Sequence, residues 1–112
     1  MKKLEIIIPH RRLDDVSEIL KDANTGGMSH YRIEGRGKIK AEPVAAARGT
    51  TRYNPEFIPR TKVEVIVKDE QVEGLIQSFI EKLGNELGGK IFVTDVSLAV
   101  DLTTKNRGES SI

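Results

Sequence analysis

The sequence Gly88-Gly89-Lys90 combines residue types that suit the binding of an anion. Glycine has no side chain, so backbone amides can approach a phosphate closely, and a lysine adds a positive charge beside them. The apolar residues 91–93 follow directly and predict a strand that would fix the position of Lys90. The motif therefore indicates a phosphate site, and an ordinary turn is the alternative.

Arginines supply a second set of candidate binding groups. Arg60 carries a planar guanidinium that can hold a carboxylate or bicarbonate through paired hydrogen bonds, or it can be a solvated charge at a strand end. Arg48 and Arg52 lie in a segment rich in Ala, Arg and Thr at 38–55, where they could bind an acidic or phosphate-bearing partner. An ordinary surface loop would have the same composition, so both readings stay open.

Residue types that carry catalysis or bind metals are present but are not arranged for either role. His10 and His30 lie twenty residues apart without a carboxylate or thiol at metal-ligand spacing. Ser29, Thr50 and Thr51 belong to no nucleophile motif and have no paired histidine in the sequence. We therefore predict no catalytic and no metal-binding residue. A small nucleotide-hydrolysing enzyme remains an alternative to a binding protein.

The composition favours one small domain that acts inside the cell. A chain of 112 residues is the size of one domain, and with only two tyrosines and three phenylalanines its core must consist mainly of Ile, Val and Leu. The formal net charge of +1 gives no field that would collect nucleic acid or an anionic membrane. Cysteine is absent, and the apolar run 4–8 is too short for a signal peptide or a membrane span. We expect a cytoplasmic protein.

The periodicity of apolar residues predicts the elements that position these groups. Val63, Val65 and Val67 alternate with polar residues and should face the core of a strand. Asp69 is expected to cap the helix that follows this strand. In chain order the pattern predicts a strand at 4–8, a helix at 12–23, a strand at 28–34, a loop at 38–55, a strand at 61–67, a helix that ends before Gly84, and one or two strands within 91–102.

This order of elements is that of the ferredoxin-like α+β fold, in which two helices cover one face of an antiparallel sheet. The other face must then either stay polar or be buried by oligomerisation. RNA-recognition domains have the same order and stack bases on sheet aromatics. An RNA-binding module is therefore an alternative, but Phe92 has no second aromatic beside it, the earlier central strand carries none and the charge is balanced, so we predict no nucleic-acid partner.

Several segments of the chain resemble signalling proteins of the PII family. The segment 88–96 is similar to the C-terminal signature of that family, and 1–5 is similar to its first strand. The segments 27–28 and 35–38 resemble the approach to the mobile T-loop of PII proteins, and 57–64 resembles the exit from it. The resemblance spans nearly the whole chain and implies a single PII-like domain over 1–112, with a T-loop at about 37–57, a B-loop at about 83–90 and a tail at about 103–112.

The resemblance also implies an assembly, a ligand and a mode of action. PII proteins form homotrimers whose sheets pack inward, and they bind ATP, ADP or AMP in the clefts between subunits, without an obligatory cofactor. The T-loop then docks on a target, so an ammonium transporter, a nitrogen-assimilation enzyme or a regulator of carbon uptake is the expected partner. The residues implied for the nucleotide are Gly27, Met28, Ser29, Gly35, Gly37, Lys38, Glu64, Ile66, Gly88, Gly89, Lys90, Lys105 and Arg107; those for a small effector are Ile39 and Arg60; those for the partner are Arg48, Gly49, Arg52 and Tyr53.

Two departures from the family pattern lie in the T-loop. Ile39 stands where PII proteins usually have a glutamine that helps to coordinate magnesium, and an aliphatic side chain cannot bind a hard cation. The loop is also about two residues longer, which makes Tyr53 only a loose counterpart of the tyrosine that is modified in the family. We therefore do not expect uridylylation of this loop.

A third departure concerns the phosphate site. The B-loop at 83–90 is shorter than usual, and Asp101 and Thr103 stand where the family has two arginines that clasp a triphosphate. Loss of positive charge should weaken ATP binding and give a relative preference for ADP or AMP. Lys105 and Arg107 are the candidates to replace the missing arginines.

Overall fold

The computed structural model describes residues 1–38, 44–45, 52–53 and 56–112. The predicted site residues Ile39, Arg48 and Gly49 lie outside this part of the chain. The strands are β1 (Lys2–Ile8), β2 (Met28–Gly35), β3 (Val44–Ala45), β4 (Arg52–Tyr53), β5 (Ile58–Val67) and β6 (Lys90–Asp95), and the helices are α1 (Leu13–Asp22) and α2 (Val72–Leu83).

Four of the strands form one antiparallel sheet in the order β2-β5-β1-β6. The long strand β5 lies between β1 and β2, and its register pairs Val65 with Met28 at one end and Ile58 with Gly35 at the other. Strands β3 and β4 pair separately, with Val44 opposite Tyr53. The sheet order and the two helices confirm the predicted ferredoxin-like α+β fold.

The core lies between the two helices and one face of the sheet. Helix α2 buries residues spaced four apart, which is the spacing that places side chains on one helix face. Strands β1 and β5 bury every second residue, as the pleat of a half-covered sheet requires. The buried apolar residues are Leu4, Ile6, Ile8, Val16, Leu20, Val63, Val65, Val67, Leu75, Phe79 and Leu83. The predicted orientation of the three valines is confirmed.

The sheet face opposite the helices carries paired charges. Lys3 Nζ lies 3.0 Å from Glu5 Oε1 and 3.8 Å from Glu64 Oε1, and Lys62 Nζ lies 3.9 Å from Glu5 Oε2. Tyr31 donates a hydrogen bond to Glu64 Oε1 at 2.9 Å, and Lys62 Nζ lies 5.8 Å from the centre of the Tyr31 ring. Such an ion-paired face is less costly to bury than one with lone charges.

The helix starts differ from the sequence prediction. Helix α1 begins at Leu13, because His10–Arg12 form a 3-10 turn first. Asp69 does not cap α2: its carboxylate pairs with the N-terminal ammonium of Met1 at 2.9 Å. A 3-10 turn, Asp69–Gln71, precedes α2, and it is this turn that is capped, by Gln71 Oε1, which accepts a hydrogen bond from the Lys68 amide at 3.0 Å.

Three strand predictions also need correction. Strand β5 begins at Ile58 rather than at residue 61, because it continues to pair with β2 as far as Gly35. The segment 96–102 forms no strand of the sheet, and only Val100 makes a bridge, to Arg107 in the tail. The loop at 38–55 was expected to lack regular structure, whereas it contains the short ladder of β3 and β4.

Candidate functional site

The predicted phosphate motif lies in a tight connection between α2 and β6. The Glu86 amide donates to Leu83 O at 3.0 Å, and the Gly89 amide donates to Glu86 O at 3.4 Å. Gly88 has a φ of 78°, a left-handed conformation that glycine adopts without the steric cost that other residues carry. Lys90 then begins β6 opposite Ile7, on the sheet face away from the helices. The structure thus places two glycine amides and a lysine in one turn at the end of the sheet.

This turn is held by ion pairs that the sequence did not indicate. Glu86 Oε1 lies 2.6 Å from Arg12 Nη1, and Glu86 Oε2 lies 2.8 Å from Arg11 Nη2. Arg12 also contacts Asp15 Oδ2 at 2.7 Å and donates to Lys82 O at 2.8 Å. Hydrogen bonds from Arg11 and Arg12 hold the pKa of Glu86 below its ordinary value of 4.5. We call these four residues, Arg11, Arg12, Asp15 and Glu86, the Glu86 cluster.

Arg60 binds the same turn from the other side. Its Nη2 donates to Leu87 O at 3.1 Å, one residue before Gly88. Because Arg60 lies near the start of β5, this contact brings the turn close to the strand end where Ile58 pairs with Gly35. Arg60, predicted to bind a small effector, is therefore engaged by the backbone of the turn.

The predicted nucleotide residues fall into two groups. The loop-end group lies where the chain leaves β2 and enters β5, beside the glycine turn. There Arg36 and Glu56 form an exposed ion pair across the base of the loop. The members of the loop-end group are Gly35, Gly37, Lys38, Gly88, Gly89 and Lys90, with Arg60 in contact.

The second group, the tail-end group, lies at the opposite end of β2 and β5. Met28 pairs with Val65, and Ser29 pairs with Glu64. The C-terminal tail approaches this end, because a Cβ atom on Gly26 would lie 3.3 Å from the backbone of Ile112. The tail-end group consists of Gly27, Met28, Ser29, Glu64 and Ile66, and the tail residues Lys105 and Arg107 are assigned to it because the tail ends beside Gly26.

A single chain does not bring the two groups together. Gly35 and Met28 are seven residues apart on one strand, which corresponds to about 23 Å at roughly 3.3 Å per residue. Lys90 and Met28 also lie on β6 and β2, the two edge strands of the sheet, about 14 Å apart at roughly 4.8 Å per strand spacing. A nucleotide that contacts both Gly35 and Met28 would therefore have to take them from two different copies of the chain, whereas Lys90, which shares its partner Ile7 with Lys62, lies only two residues along the sheet from the level of Glu64.

The tail residues make local contacts. Asp101 Oδ1 accepts hydrogen bonds from the amides of Thr103 and Thr104 at 2.8 and 2.9 Å. The amides of Thr104 and Thr103 hold the pKa of Asp101 below its ordinary value. Lys105 has a left-handed φ of 68°, and its ammonium donates to Leu102 O at 2.6 Å. Asp101 thus remains an anion that shapes its own turn.

The two histidines, far apart in sequence, lie close together in space. His10 Nδ1 lies 2.9 Å from Thr61 Oγ1, and the ring centres of His10 and His30 are 6.5 Å apart. The sequence separation of the histidines concealed this proximity. The described parts of the chain hold no cluster of three His, Cys, Asp or Glu side chains suited to a metal ion.

Sequence signals for the remaining contacts were partial. Arg12 and Asp15 are three residues apart at the start of a helix, which predicts their ion pair. No local pattern could link either residue to Glu86, which is more than seventy positions away. Of the residues predicted to bind a partner, Arg52 and Tyr53 form the short strand β4, which pairs with β3.

Comparison with known proteins identifies the family. The sequence model of the family described as "Nitrogen regulatory protein P-II" matches residues 1–106. The chain belongs to the P-II family. P-II proteins of Pasteurella multocida and Rhodobacter capsulatus are 38% and 34% identical to it, and P-II 1 of Escherichia coli strain K12 is 32% identical. Each of these alignments covers 100% of this chain and 100% of the relative.

Membership of the P-II family places the chain among signal transduction proteins of nitrogen regulation. It also accounts for the ferredoxin-like sheet and for the long segment between β2 and β5. Among the described residues, no helix of this P-II protein has the length and apolar character needed to cross a bilayer.

Proposed function

We propose that this protein is a regulatory binding protein of the P-II type that senses an adenine nucleotide between adjacent copies of a homotrimer. Nucleotide state then biases the conformation of the T-loop and its docking on a target. The observation that carries the proposal is the separation of the predicted nucleotide residues into a loop-end group and a tail-end group, whose members Gly35 and Met28 lie about 23 Å apart on one chain. A shared cleft would join the loop-end group of one copy to the tail-end group of the next.

Exposed apolar side chains support the assembly. Phe92 is 46% exposed on the sheet face opposite the helices, among the paired charges described above. Leu98, Val100 and Leu102 alternate along the tail and are 49%, 44% and 82% exposed. Assembly would remove this surface from water, which is the main driving force for association of small domains. The charge pairs would enter the interface already satisfied by partners in the same chain.

Contacts within the loop-end group provide a route by which a bound ligand would affect the conformation of the T-loop. The glycine turn contacts Arg60, and Arg60 lies on β5 two residues after Ile58, the partner of Gly35. A phosphate bound at the Gly88 amide would therefore lie next to Leu87, whose carbonyl accepts a hydrogen bond from Arg60. Arg60 belongs to β5, the strand that follows the T-loop. The expected targets are a membrane transporter, such as an ammonium transporter, or a metabolic enzyme of nitrogen or carbon assimilation.

Charge in the tail supports a preference among nucleotides. Asp101 keeps its negative charge because two backbone amides stabilise the carboxylate. If the tail of a neighbouring copy closes the cleft, this carboxylate faces the end of the phosphate chain and disfavours the most highly charged ligand. ADP or AMP should then bind better than ATP, with a small carboxylate or bicarbonate as a second ligand near Arg60.

The proposal is tested by measuring assembly and ligand binding on the same preparation. Light scattering coupled to size exclusion should give the mass of three chains, and ADP, AMP or ATP should raise the melting temperature. Guanine and cytosine nucleotides serve as matched controls because they carry the same phosphates. A monomer whose melting temperature responds to no adenine nucleotide would refute the proposal.

A further inference from the structure

We propose that Glu86 is a positioning residue for the phosphate-binding turn, because its ion pairs with Arg11 and Arg12 hold Gly88 and Gly89 in the conformation that accepts a nucleotide phosphate. The inference deepens the proposed function and rests on it for the identity of the ligand. It concerns the geometry of the turn, which can also be measured without a ligand.

Glu86 is the residue on which the geometry of the turn depends. Its amide bonds back to the end of α2 at Leu83 O, and its carbonyl accepts the Gly89 amide. Its side chain is only 10% exposed, and both carboxylate oxygens are bound by guanidinium groups. Backbone and side chain of one residue therefore connect the helix end, the start of α1 and the glycine pair.

One cation of the Glu86 cluster, Arg12, is anchored independently of the turn. Arg12 is fixed by Asp15 on α1 and by the carbonyl of Lys82 on α2. Arg11 lies on the surface, with its side chain 67% exposed, and it binds the outer oxygen of Glu86. The cluster thus ties a short connection, which contains two conformationally free glycines, to two helices that pack on the core.

The backbone of Gly89 lies beside that of Glu86 and that of β1. A Cβ atom at this position would lie 3.6 Å from both Glu86 O and Ile7 O. These are ordinary van der Waals distances, and the Gly89 amide also donates to Glu86 O, so a shift of Glu86 would displace the glycine pair on which the proposed anion site depends. Charged hydrogen bonds tolerate such displacement poorly because their strength depends on distance and angle.

Simple electrostatics would give the opposite expectation. A carboxylate near a phosphate site repels the ligand and neutralises two arginines, so its removal should tighten binding. The positioning role predicts weaker binding after the same change. The sign of the effect therefore separates the two explanations.

The test uses Glu86→Gln, which keeps the size of the side chain and removes its charge. Binding of ADP, ATP and adenosine to the intact protein is measured by calorimetry or by NMR titration. We expect ADP and ATP to bind about tenfold more weakly, the scale of one misplaced charged hydrogen bond, while adenosine binding stays unchanged because adenosine has no phosphate. Glu81→Gln is the matched control. It removes a carboxylate that lies on the surface of α2 and accepts a hydrogen bond from Gln77.

A second variant and a ligand-free readout complete the test. Arg11→Gln removes one partner of Glu86 at an exposed position and should give a smaller loss, and the double variant Arg11→Gln with Glu86→Gln should lose less than the sum of the two. In the ligand-free protein, Glu86→Gln should increase the hydrogen-exchange rate of the Gly89 amide, which donates to Glu86 O, relative to the rates of the β1 amides.

Two binding results would overturn the positioning role. Tighter ADP binding to Glu86→Gln would show that the carboxylate acts only by repulsion. Equal weakening of ADP and adenosine would show a general loss of structure. If the wild-type protein binds no adenine nucleotide, the proposed function fails separately, and an unchanged exchange rate of the Gly89 amide in Glu86→Gln would then overturn the positioning role.

Discussion

Two variants that each destroy one group of the proposed nucleotide site should restore binding when they are mixed. Lys90→Ala removes the cation beside the glycine turn, in the loop-end group. Gly27→Leu blocks the tail-end group, and it should leave the chain itself folded because a Cβ atom on Gly27 meets nothing within 4 Å. Lys90 and Gly27 belong to opposite edges of one sheet, so each proposed cleft must take them from different copies.

The fraction of nucleotide binding that should return follows from the cyclic arrangement of three chains in a trimer, in which each cleft lies between two neighbouring chains. A cleft is intact only if its loop-end group comes from a Gly27→Leu chain and its tail-end group from a Lys90→Ala chain. In a randomly mixed equimolar trimer each condition is met with a probability of about one half, so about one quarter of the clefts regain both groups. Each variant alone has no intact cleft.

The assay is ADP binding at a nucleotide concentration near the wild-type Kd. The two variants are unfolded together, refolded as a mixture and compared with each variant refolded alone and with two separately refolded samples combined afterwards. About one quarter of the wild-type capacity should return only after joint refolding. If binding stays at the level of the single variants although mixed trimers form, both groups act within one chain and the reasoning is wrong.

Three further predictions concern the ligand, the pH dependence and the core. ADP or AMP should bind more tightly than ATP in calorimetry, because Asp101 keeps its charge in the tail. The folded-state pKa of Glu86 is lowered below 4.5. Its ion pairs therefore stabilise the protein fully above about pH 5, and this stabilisation is lost as the pH falls through the folded pKa. In urea unfolding, the stability difference between wild type and Glu86→Gln should shrink from about pH 6 toward about pH 3. Phe79→Ala should lower the free energy of unfolding by about 3–5 kcal/mol, since this side chain is only 2% exposed, whereas Ile80→Ala, 56% exposed on the same helix, should change it by roughly 0.5 kcal/mol or less.

Each of these predictions has an outcome that contradicts it. ATP bound about tenfold more tightly than both ADP and AMP would show that the tail does not disfavour the triphosphate. A stability difference between Glu86→Gln and wild type that is independent of pH would mean that the carboxylate makes no ionic contribution, with Glu81→Gln as the control. Equal effects of Phe79→Ala and Ile80→Ala would contradict the assignment of the core face of α2.

The order and type of the main elements follow from local patterns in the sequence. The alternation of Val63, Val65 and Val67 fixed which face of β5 meets the helices, because the side-chain period of a strand is two. The stripe that includes Leu75, Phe79 and Leu83 placed α2 in the same way. The glycine turn was also recognisable, since glycine before a lysine and an apolar strand is a local signal.

Contacts between distant segments were not predictable in this way. Glu86 pairs with Arg11 and Arg12 because the fold brings the start of α1 beside the end of α2, and no pattern in either segment records the other. Asp69 has the residue type of a helix cap, but its carboxylate forms an ion pair with the N-terminal ammonium of Met1 instead. Such choices depend on tertiary proximity, which local propensity cannot supply.

Native mass spectrometry of the protein with ADP tests the central claim most directly. The account predicts trimers that carry up to three nucleotides, no nucleotide on any free monomer, and loss of the bound species when Lys90 is replaced by alanine. A monomer that retains ADP, or a trimer that binds none, would contradict it.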